Sequence, residues 1–414
     1  MAGLQPVRGT QDLLPDAHRR HRAVIETARR IAERFGYQEI ATPIFEFTEV
    51  FARPIGETTD IVSKEMYTFT TKGGDEITLR PENTAGVVRA IISNSLTQTL
   101  PQRLFYDGPM FRYEAPQKGR YRQFHQIGAE LIGVAQPGGD VELIALAAEI
   151  LDELGVLKHT VLELNTLGDT ASRQAYRAAL VDFYAAHRDK LSEDSRRRLE
   201  ANPLRILDSK DEGDKRINAE APNFADYLTP EAKDFFAEVC AGLTALEINY
   251  ALNPRLVRGL DYYCHTAFEF VTTSLGAQGT VLGGGRYDGL MGVMGGPETP
   301  GVGWAAGIER LALLIEEPPA PPRPIALVPL GKPAEMLALR LAQSLRHAGF
   351  PIELGYSGNL KRRLQRANKI NARAAVILGD DEIAKQVAAV RDLDSGDQAE
   401  VPLASLAERL AAFR

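Results

Sequence analysis

The sequence predicts an α+β protein in two parts, and three observations carry that expectation. Short β-rich runs joined by hairpin-like loops fill much of the chain before its last hundred or so residues. The run Glu316-Glu-Pro-Pro-Ala-Pro-Pro-Arg-Pro324 puts five prolines in nine residues, which neither a helix nor a ladder accommodates, so it reads as a linker. Beyond it, apolar strands alternate with amphipathic helices. The length of 414 residues, 44% hydrophobic and 25% charged, suits a globular chain with room for two or three domains. The expected parts are 1–316, an antiparallel-sheet body with helices on one face and a helical insertion at about 171–243; a linker, 317–324; and a small α/β domain, 325–414.

In chain order, Asp16 is the expected N-cap of an amphipathic helix that runs to Phe35 and is closed by Gly36. Strands are expected at Tyr37 to Thr42, Met66 to Thr70, Glu76 to Leu79, Arg103 to Tyr106, Gln123 to Ile132 and His265 to Val271, with Thr71-Lys-Gly-Gly-Asp75 as a hairpin loop. From Ala171 to about Leu243 the chain is helical in pattern, charged and β-poor, as an inserted subdomain would be. After the linker come strand Ile325 to Pro329, helix about Pro333 to Ala348 stopped by Gly349, strand Phe350 to Gly355, helix about Asn359 to Ile370, and strand Ala374 to Leu378. That βαβαβ rhythm implies a largely parallel sheet.

Composition narrows the function classes. Two cysteines, Cys240 and Cys264, can build neither a disulfide framework nor a multi-cysteine zinc site, so a cytoplasmic setting is the expectation. The start of the chain lacks a secretory pattern. The most apolar stretch, Trp304 to Ile315, is broken by Glu309 and Arg310, short of the ~20 apolar residues that span a bilayer, so no membrane role is expected. The net charge of −7 hides a division: Arg323 to Arg414 carries 14 basic against 10 acidic residues, +4, leaving −11 for the rest. Lys361, Arg362, Arg363, Arg366, Lys369 and Arg373 crowd one expected helix and its end, either a solvated face or a phosphate-contacting patch.

Several chemistries are excluded by spacing. There is no G-x-x-x-x-G-K-[ST], no G-x-G-x-x-G, no G-x-S-x-G and no H-x-x-x-H; His18 and His21 read as surface residues. What stands out are segments dense in Gly, Arg, Glu and aromatics: Leu79 to Gly86, Met110 to Gln126 followed by Glu130, Leu256-Val-Arg-Gly-Leu-Asp-Tyr-Tyr263, Gly283 to Gly289, and Gly301 to Arg310. Arg112, Arg120, Arg122, Arg258 and Arg310 could supply the guanidinium forks that a nucleoside triphosphate needs. Arg112 and Glu114 share strand parity and hence one face, Phe124 offers a flat surface to a purine, and Arg310 belongs to a helix expected to begin near Gly303 to Gly307.

These segments resemble the histidyl-tRNA synthetase family of class II aminoacyl-tRNA synthetases over essentially the whole chain. Arg8 to Pro15 resembles its N-terminal segment, Tyr37 to Phe51 the class motif that builds the dimer interface, Met110 to Gln126 the second motif and Gly301 to Arg310 the third. Leu256 to Tyr263 and Gly284-Gly-Arg-Tyr-Asp-Gly-Leu290 resemble the histidine-specific pair, and Asn202-Pro-Leu-Arg-Ile-Leu-Asp-Ser-Lys210 agrees.

The resemblance implies a class II catalytic domain, a C-terminal anticodon-binding domain, and roles for single residues. Glu82 and Thr84, with Asn83 between them, would meet the α-ammonium of L-histidine. Gln126 and Arg258 would meet its carboxylate. Glu130 and Tyr263, with Tyr262 beside them, would meet the imidazole. Arg112 would hold the α-phosphate of ATP, Glu114 and Phe124 the adenine, Arg120 and Arg310 the remaining nucleotide; Arg258 and Arg112 would stabilise charge in the reaction. Mg²⁺ would sit on pyrophosphate oxygens with no metal site of the protein's own, Lys361, Arg362, Arg363 and Arg366 would contact tRNA-His, and the protein would be a homodimer. Two rivals are a non-catalytic synthetase-like regulatory subunit of ATP phosphoribosyltransferase, which would lack the anticodon-binding domain, and a class II enzyme for another amino acid. The chain departs from the family pattern at Asn83, Tyr113 and Ala115.

Overall fold

The computed structural model describes residues 4–413 apart from 57, 58, 60, 118, 208, 210, 258, 259, 277 and 278. The chain divides into two compact units, Met1–Pro318 and Pro319–Arg414.

The first unit opens with α1 (Pro15–Arg34), whose Val24, Ala28 and Ile31 recur at helical spacing and are fully buried. Its N-cap is Leu14 rather than Asp16: Pro15 already has the φ of a first helical residue, so Asp16 falls inside the first turn, where its charge meets the helix dipole. Gly36, at φ +78°, ends the helix as expected. Strand β1 (Gln38–Glu39) is much shorter than the expected Tyr37 to Thr42. β2 (Phe45–Phe47), α2 (Glu49–Ile55), β3 (Tyr67–Thr70) and β4 (Glu76–Leu79) follow, and Thr71 N–H donates to the Asp75 carbonyl at 2.8 Å to close the expected hairpin. These strands make a small antiparallel sheet, β2-β4-β3.

Next come α3 (Thr84–Ser93), β5 (Gln102–Phe111), β6 (Gln123–Ile132), α4 (Pro137–Glu153) and β7 (Val161–Thr166). The insertion is helical as expected, with α5 (Thr170–Ala186), α6 (Glu193–Ala201), α7 (Glu212–Asn218) and α8 (Pro230–Ala245), the first capped by Asp169 and the last by Thr229. Its own core gathers Tyr176, Leu180, Tyr184 and Ile206. β8 (Ala251–Leu252), β9 (Cys264–Val271), β10 (Thr280–Arg286), α9 (Leu290–Val293), β11 (Gly301–Gly307) and α10 (Ile308–Ala312) complete the unit. The segment Gly301 to Gly307 is a strand, not the start of a helix. It pairs with β6 on one side and β10 on the other, and its glycines, poor helix formers, give neighbouring side chains room.

The main sheet runs β1-β5-β6-β11-β10-β9-β7-β8. β1 and β8 join its two edges in parallel and every other described pair is antiparallel. One face is apolar: Ile127, Ala129 and Leu131 of β6 and Trp304 of β11 pack with Ile31, Leu143, Leu243 and Leu311 of the covering helices. Alternation therefore sends Phe124, Gln126 and Glu130 to the opposite face.

The second unit is a five-stranded sheet of order β13-β12-β14-β15-β16. β12 (Ile325–Pro329), α11 (Lys332–His347), β13 (Ile352–Leu354), α12 (Leu360–Lys369) and β14 (Ala374–Leu378) form the expected parallel βαβαβ. The short α13 (Asp380–Ala384), β15 (Val387–Asp392), β16 (Gln398–Pro402) and α14 (Leu406–Leu410) then extend it, and the two added strands are antiparallel.

One polar contact ties the main sheet to its covering helices. Arg286, from the Gly-Gly-Arg-Tyr segment at the end of β10, and Asp140, in the first turn of α4, are both fully buried. The Arg286 Nε donates to Asp140 at 3.0 Å, and Nη1 donates to the Val134 carbonyl at 2.9 Å and to Asp288 at 3.0 Å. Removing one partner strands the other charge in the core, so Asp140→Ala is expected to cost about 3–5 kcal/mol. A denaturant midpoint equal to that of the unaltered protein would contradict this.

Candidate active site

A cavity of about 210 Å³ opens on the polar face of the main sheet of the first unit. Its lining collects Glu82, Thr84, Arg112, Glu114, Arg120, Phe124, Gln126, Tyr262, Tyr263 and Arg310, nearly all of the residues singled out from the sequence. Arg258 lies outside the described residues.

The floor is set by one carboxyl. Glu130 has no exposed surface; it accepts from the Thr84 hydroxyl at 2.7 Å and the Tyr106 hydroxyl at 3.3 Å, and its other oxygen from the Tyr287 hydroxyl. Burial raises its pKa to about 8. It stands directly behind Thr84 and Tyr106, which front the cavity. Gly303, its partner on β11, makes that possible, because a Cβ there would come within 1.6 Å of the Glu130 carboxylate.

Beside it, Glu82 is 5% exposed and accepts from the backbone N–H groups of Thr84 at 2.6 Å and Ala85 at 3.0 Å, at the start of α3. Burial pushes its pKa up, and those two amides oppose the shift. Asn83 does not face the cavity: its amide oxygen accepts from the Thr42 hydroxyl at 2.6 Å and from Arg80 at 3.2 Å. Its place is to hold the chain entering α3. Two polar atoms in the cavity wall, the Gln126 amide oxygen and the Tyr262 hydroxyl, are buried without a partner among the described residues. Buried polar atoms left open in this way suit a polar ligand.

The other half of the cavity is cationic. β5 ends at Phe111, so strand parity does not govern Arg112 and Glu114; the loop from 112 to 122 brings them together instead. Arg112 donates from Nε to the Pro81 carbonyl at 2.9 Å and lies 5.3 Å from the centre of the Phe124 ring. Glu114 stands 2.9 Å from Arg120 and 3.9 Å from Arg112. Arg310, on α10, donates to the Thr280 carbonyl. Burial, and then the charges of Arg120 and Arg112, lower its pKa. Arg122 is not part of this group: its guanidinium lies 3.8 Å from the centre of the half-exposed Tyr113 ring and donates to the Glu114 carbonyl at 3.3 Å.

Sequence reasoning missed three supports. Tyr106 and Tyr287 hold Glu130. Glu309 accepts from the His125 backbone N–H at 2.9 Å and lies 2.9 Å from its Nδ1, which ties α10 to the stretch of β6 between Phe124 and Gln126. His21, expected at the surface, is 6% exposed and meets His125 edge to face, with ring centres 5.6 Å apart, because α1 lies across this corner of the sheet. The Gly-Gly-Arg-Tyr and Ile-Glu-Arg segments carried the signal for Tyr287 and Glu309; nothing local marked His21.

In the second unit the basic helix α12 is less free than its sequence suggests. Arg363 is buried, 7% exposed, and donates to the Gly358 and Gly355 carbonyls, both at 2.7 Å, with Glu335 at 3.5 Å. Its guanidinium is therefore spent inside the unit and is not a phosphate contact. Arg366 pairs with Glu353 and Arg373 with Asp392. Lys361 and Arg362 are exposed and have no ion pair among the described residues.

Comparison with known proteins agrees with this geometry. The family profile "Histidyl-tRNA synthetase" matches residues 9–311, and "Anticodon binding domain" matches 325–413. The histidine–tRNA ligase of Rhodospirillum rubrum is 61% identical over 414 residues, 100% of each chain, and that of Gluconobacter oxydans 58% over the same span. Among solved structures, apo histidyl-tRNA synthetase from S. aureus superposes with a TM-score of 0.84 at 36% identity, covering 98% of this chain and 99% of that one. An ATP phosphoribosyltransferase regulatory subunit/histidyl-tRNA synthetase from Bacillus halodurans shares the fold at TM-score 0.67 and 20% identity, covering 91% of this chain and 98% of that one. With a matching profile along the whole catalytic unit and full-length relatives at this identity, the chain belongs to the histidyl-tRNA synthetase family.

Proposed function

We propose that the chain is a histidine–tRNA ligase that condenses L-histidine with ATP to histidyl-adenylate and pyrophosphate, then passes the histidyl group to the 3′ end of tRNA-His. The observation that carries this reading is the convergence of Arg112, Arg120 and Arg310 with Phe124 in one cavity with Glu82, Thr84 and Gln126. Three arginines gathered on one side of the cavity call for a polyanion, and the carboxylate and open polar atoms beside them call for a zwitterion. The regulatory-subunit reading is not favoured, since the anticodon-binding unit is present and Tyr262 and Tyr263 line the cavity.

In the proposed reaction Glu82 and the Thr84 hydroxyl take the α-ammonium, Gln126 and Arg258 the carboxylate, and Tyr263 an imidazole nitrogen, with Tyr262 packed beside it and Glu130 acting on the ring from behind Thr84 and Tyr106. Arg112 and Arg258 hold the α-phosphate, Phe124 stacks on the adenine with Glu114 at its edge, and Arg120 and Arg310 hold the outer phosphates. A histidine carboxylate oxygen attacks the α-phosphorus, the bond to the bridging oxygen breaks, and pyrophosphate leaves with the electron pair. A ribose hydroxyl of the tRNA terminus then attacks the acyl carbon and AMP leaves. The substrates supply both nucleophiles, so the protein contributes position and charge. Mg²⁺ is proposed as the counter-ion carried in on ATP, on the pyrophosphate oxygens.

A homodimer and a cytoplasmic location complete the proposal. Phe45, Phe47 and Phe69 lie on one face of the small sheet, 48–56% exposed, an apolar patch suited to a second copy of the chain. Free thiols at Cys240 and Cys264 suit a reducing compartment, and no helix among the described residues is long and apolar enough to cross a membrane.

Three measurements test this. Offered each of the twenty amino acids, the protein should support ATP–pyrophosphate exchange with histidine alone, and in the same preparation the Lys361→Gln/Arg362→Gln variant should lose about tenfold in tRNA charging while keeping exchange; no exchange with histidine defeats the main reading, and equal loss of both activities defeats the patch. The pH dependence follows from Glu130. Between the free imidazole's pKa of about 6.5 and the carboxyl's value of about 8, the pair enters the complex with its one proton. Above about 8 the empty site has lost that proton and binding must take one up, so kcat/KM for histidine should fall about tenfold per pH unit. Glu130→Gln, which cannot ionise, should flatten that limb; an unchanged limb would remove Glu130 from the role. Finally, Phe47→Glu should shift the sedimentation equilibrium toward monomer, and an unshifted equilibrium would exclude this face as the interface.

A further inference from the structure

Two segments singled out in the sequence have no part in the chemistry above: Asn202-Pro-Leu-Arg205, which leaves α6 of the insertion, and Asp261, which precedes the paired tyrosines of the cavity. The structure joins them. The Asp261 carboxylate accepts from Arg205 Nη2 at 3.0 Å, Arg205 Nε at 3.3 Å and Asn202 Nδ2 at 3.2 Å. From α5, also in the insertion, Arg173 donates to the Tyr263 carbonyl at 2.8 Å and the Asp261 carbonyl at 3.3 Å.

We infer that Asp261 is a latch through which the helical insertion sets the histidine pocket, with Asn202, Arg205 and Arg173 as positioning residues. Four facts support this. Side-chain donors to residues 261–263 among the described residues include Arg173, Asn202 and Arg205, three residues of the insertion. The Tyr262 hydroxyl is buried without a partner among the described residues, so that ring is held by packing against Tyr263 and Tyr287 and by its backbone, which the latch fixes. The body of the unit has cleared space for the carboxylate: at Gly56, φ +97°, a Cβ would come within 2.4 Å of Asp261 Oδ2. Finally, the joint is not packed solid, since a void of about 60 Å³ lined by Leu204, Leu207, Val257, Leu260 and Tyr263 lies between insertion and loop.

The ion pair is unsuited to a purely structural duty. Arg205 and Asp261 keep 19% and 28% of their side chains exposed, so water reaches the pair and weakens its contribution to folding. Their bonds are directional, however, and the loop they hold runs straight into Tyr262 and Tyr263. By linkage, whatever displaces the insertion loosens histidine, and bound histidine steadies the insertion by the same factor.

The inference rests on the histidine reading of the cavity, and the test separates the two. In exchange assays Arg205→Ala and Asp261→Asn should each raise KM for histidine about tenfold, leave KM for ATP within about twofold, and leave the thermal midpoint in place; the double variant should be no worse than either single one, the signature of one shared contact. Arg205→Lys should recover part of the loss. Calorimetric titration with histidine alone should show the same weakening without turnover. If the unaltered protein neither exchanges nor binds histidine, the functional reading fails. If it does both and Arg205→Ala matches it, or KM for ATP rises equally, or the two losses add, the latch is wrong.

Discussion

The arrangement of the site turns on a carboxyl that has given up water. A carboxyl with no exposed surface is costly to leave without hydrogen-bond partners, and Glu130, whose pKa burial raises to about 8, gathers three hydroxyls, from Thr84, Tyr106 and Tyr287, on three different elements. Each element is thereby fixed against the others. Thr84 begins α3, which also aims two amides at Glu82; Tyr106 lies on β5, two residues along from Glu130's own cross-strand partner Leu104; Tyr287 follows β10 one residue after Arg286, the buried anchor to α4. The register of β6 with β11 sets Gly303 opposite Glu130, and a side chain at that position would occupy the carboxyl's own volume. Strand pairing, helix start and electrostatics are thus one constraint seen from three sides.

The cationic half obeys the opposite logic. Arg112, Arg120 and Arg310 are brought together with partial compensation from Glu114, and the pKa of Arg310 is lowered first by burial and then by the charges of Arg120 and Arg112. Under the proposed reading, phosphates neutralise these three cations together, which favours the nucleotide over neutral competitors. Glu309 keeps α10 and β6 in register, since one carboxylate holds both the backbone and the ring of His125.

Much of this was legible in the sequence, and the parts that were not share a cause. Strands Glu76–Leu79, Gln123–Ile132, Ile325–Pro329 and Ala374–Leu378 fall where alternation or apolar runs place them, because each is specified by its own residues. The site residues clustered in glycine- and arginine-dense segments, and most of them meet in one cavity. The helix expected to begin near Gly303 to Gly307 begins at Ile308, and Gly301–Gly307 takes its strand character from its neighbours β6 and β10, not from its own glycines. Asn83 and Arg363 have ordinary polar side chains whose partners, Thr42 and the Gly355 and Gly358 carbonyls, depend on the fold. His21 is buried only because α1 crosses the sheet at His125. In each case a long-range contact overrode a local reading.

Charge gives the same lesson at larger scale. Dividing the chain at the proline run separates −11 from +4, and the basic segment 361–373 then looks uniformly available. Folding spends half of it: Glu335, Glu353 and Asp392, all distant in sequence, come to Arg363, Arg366 and Arg373. The charge left without an ion pair among the described residues lies at Lys361 and Arg362, in the first turn of α12, and at Lys369 at its end. A surface that pairs half of its cations within the unit offers phosphate a more localised attraction than the sequence alone suggests. Under the proposed reading, this is what lets a chain of net negative charge hold a nucleic acid at one place without binding it everywhere.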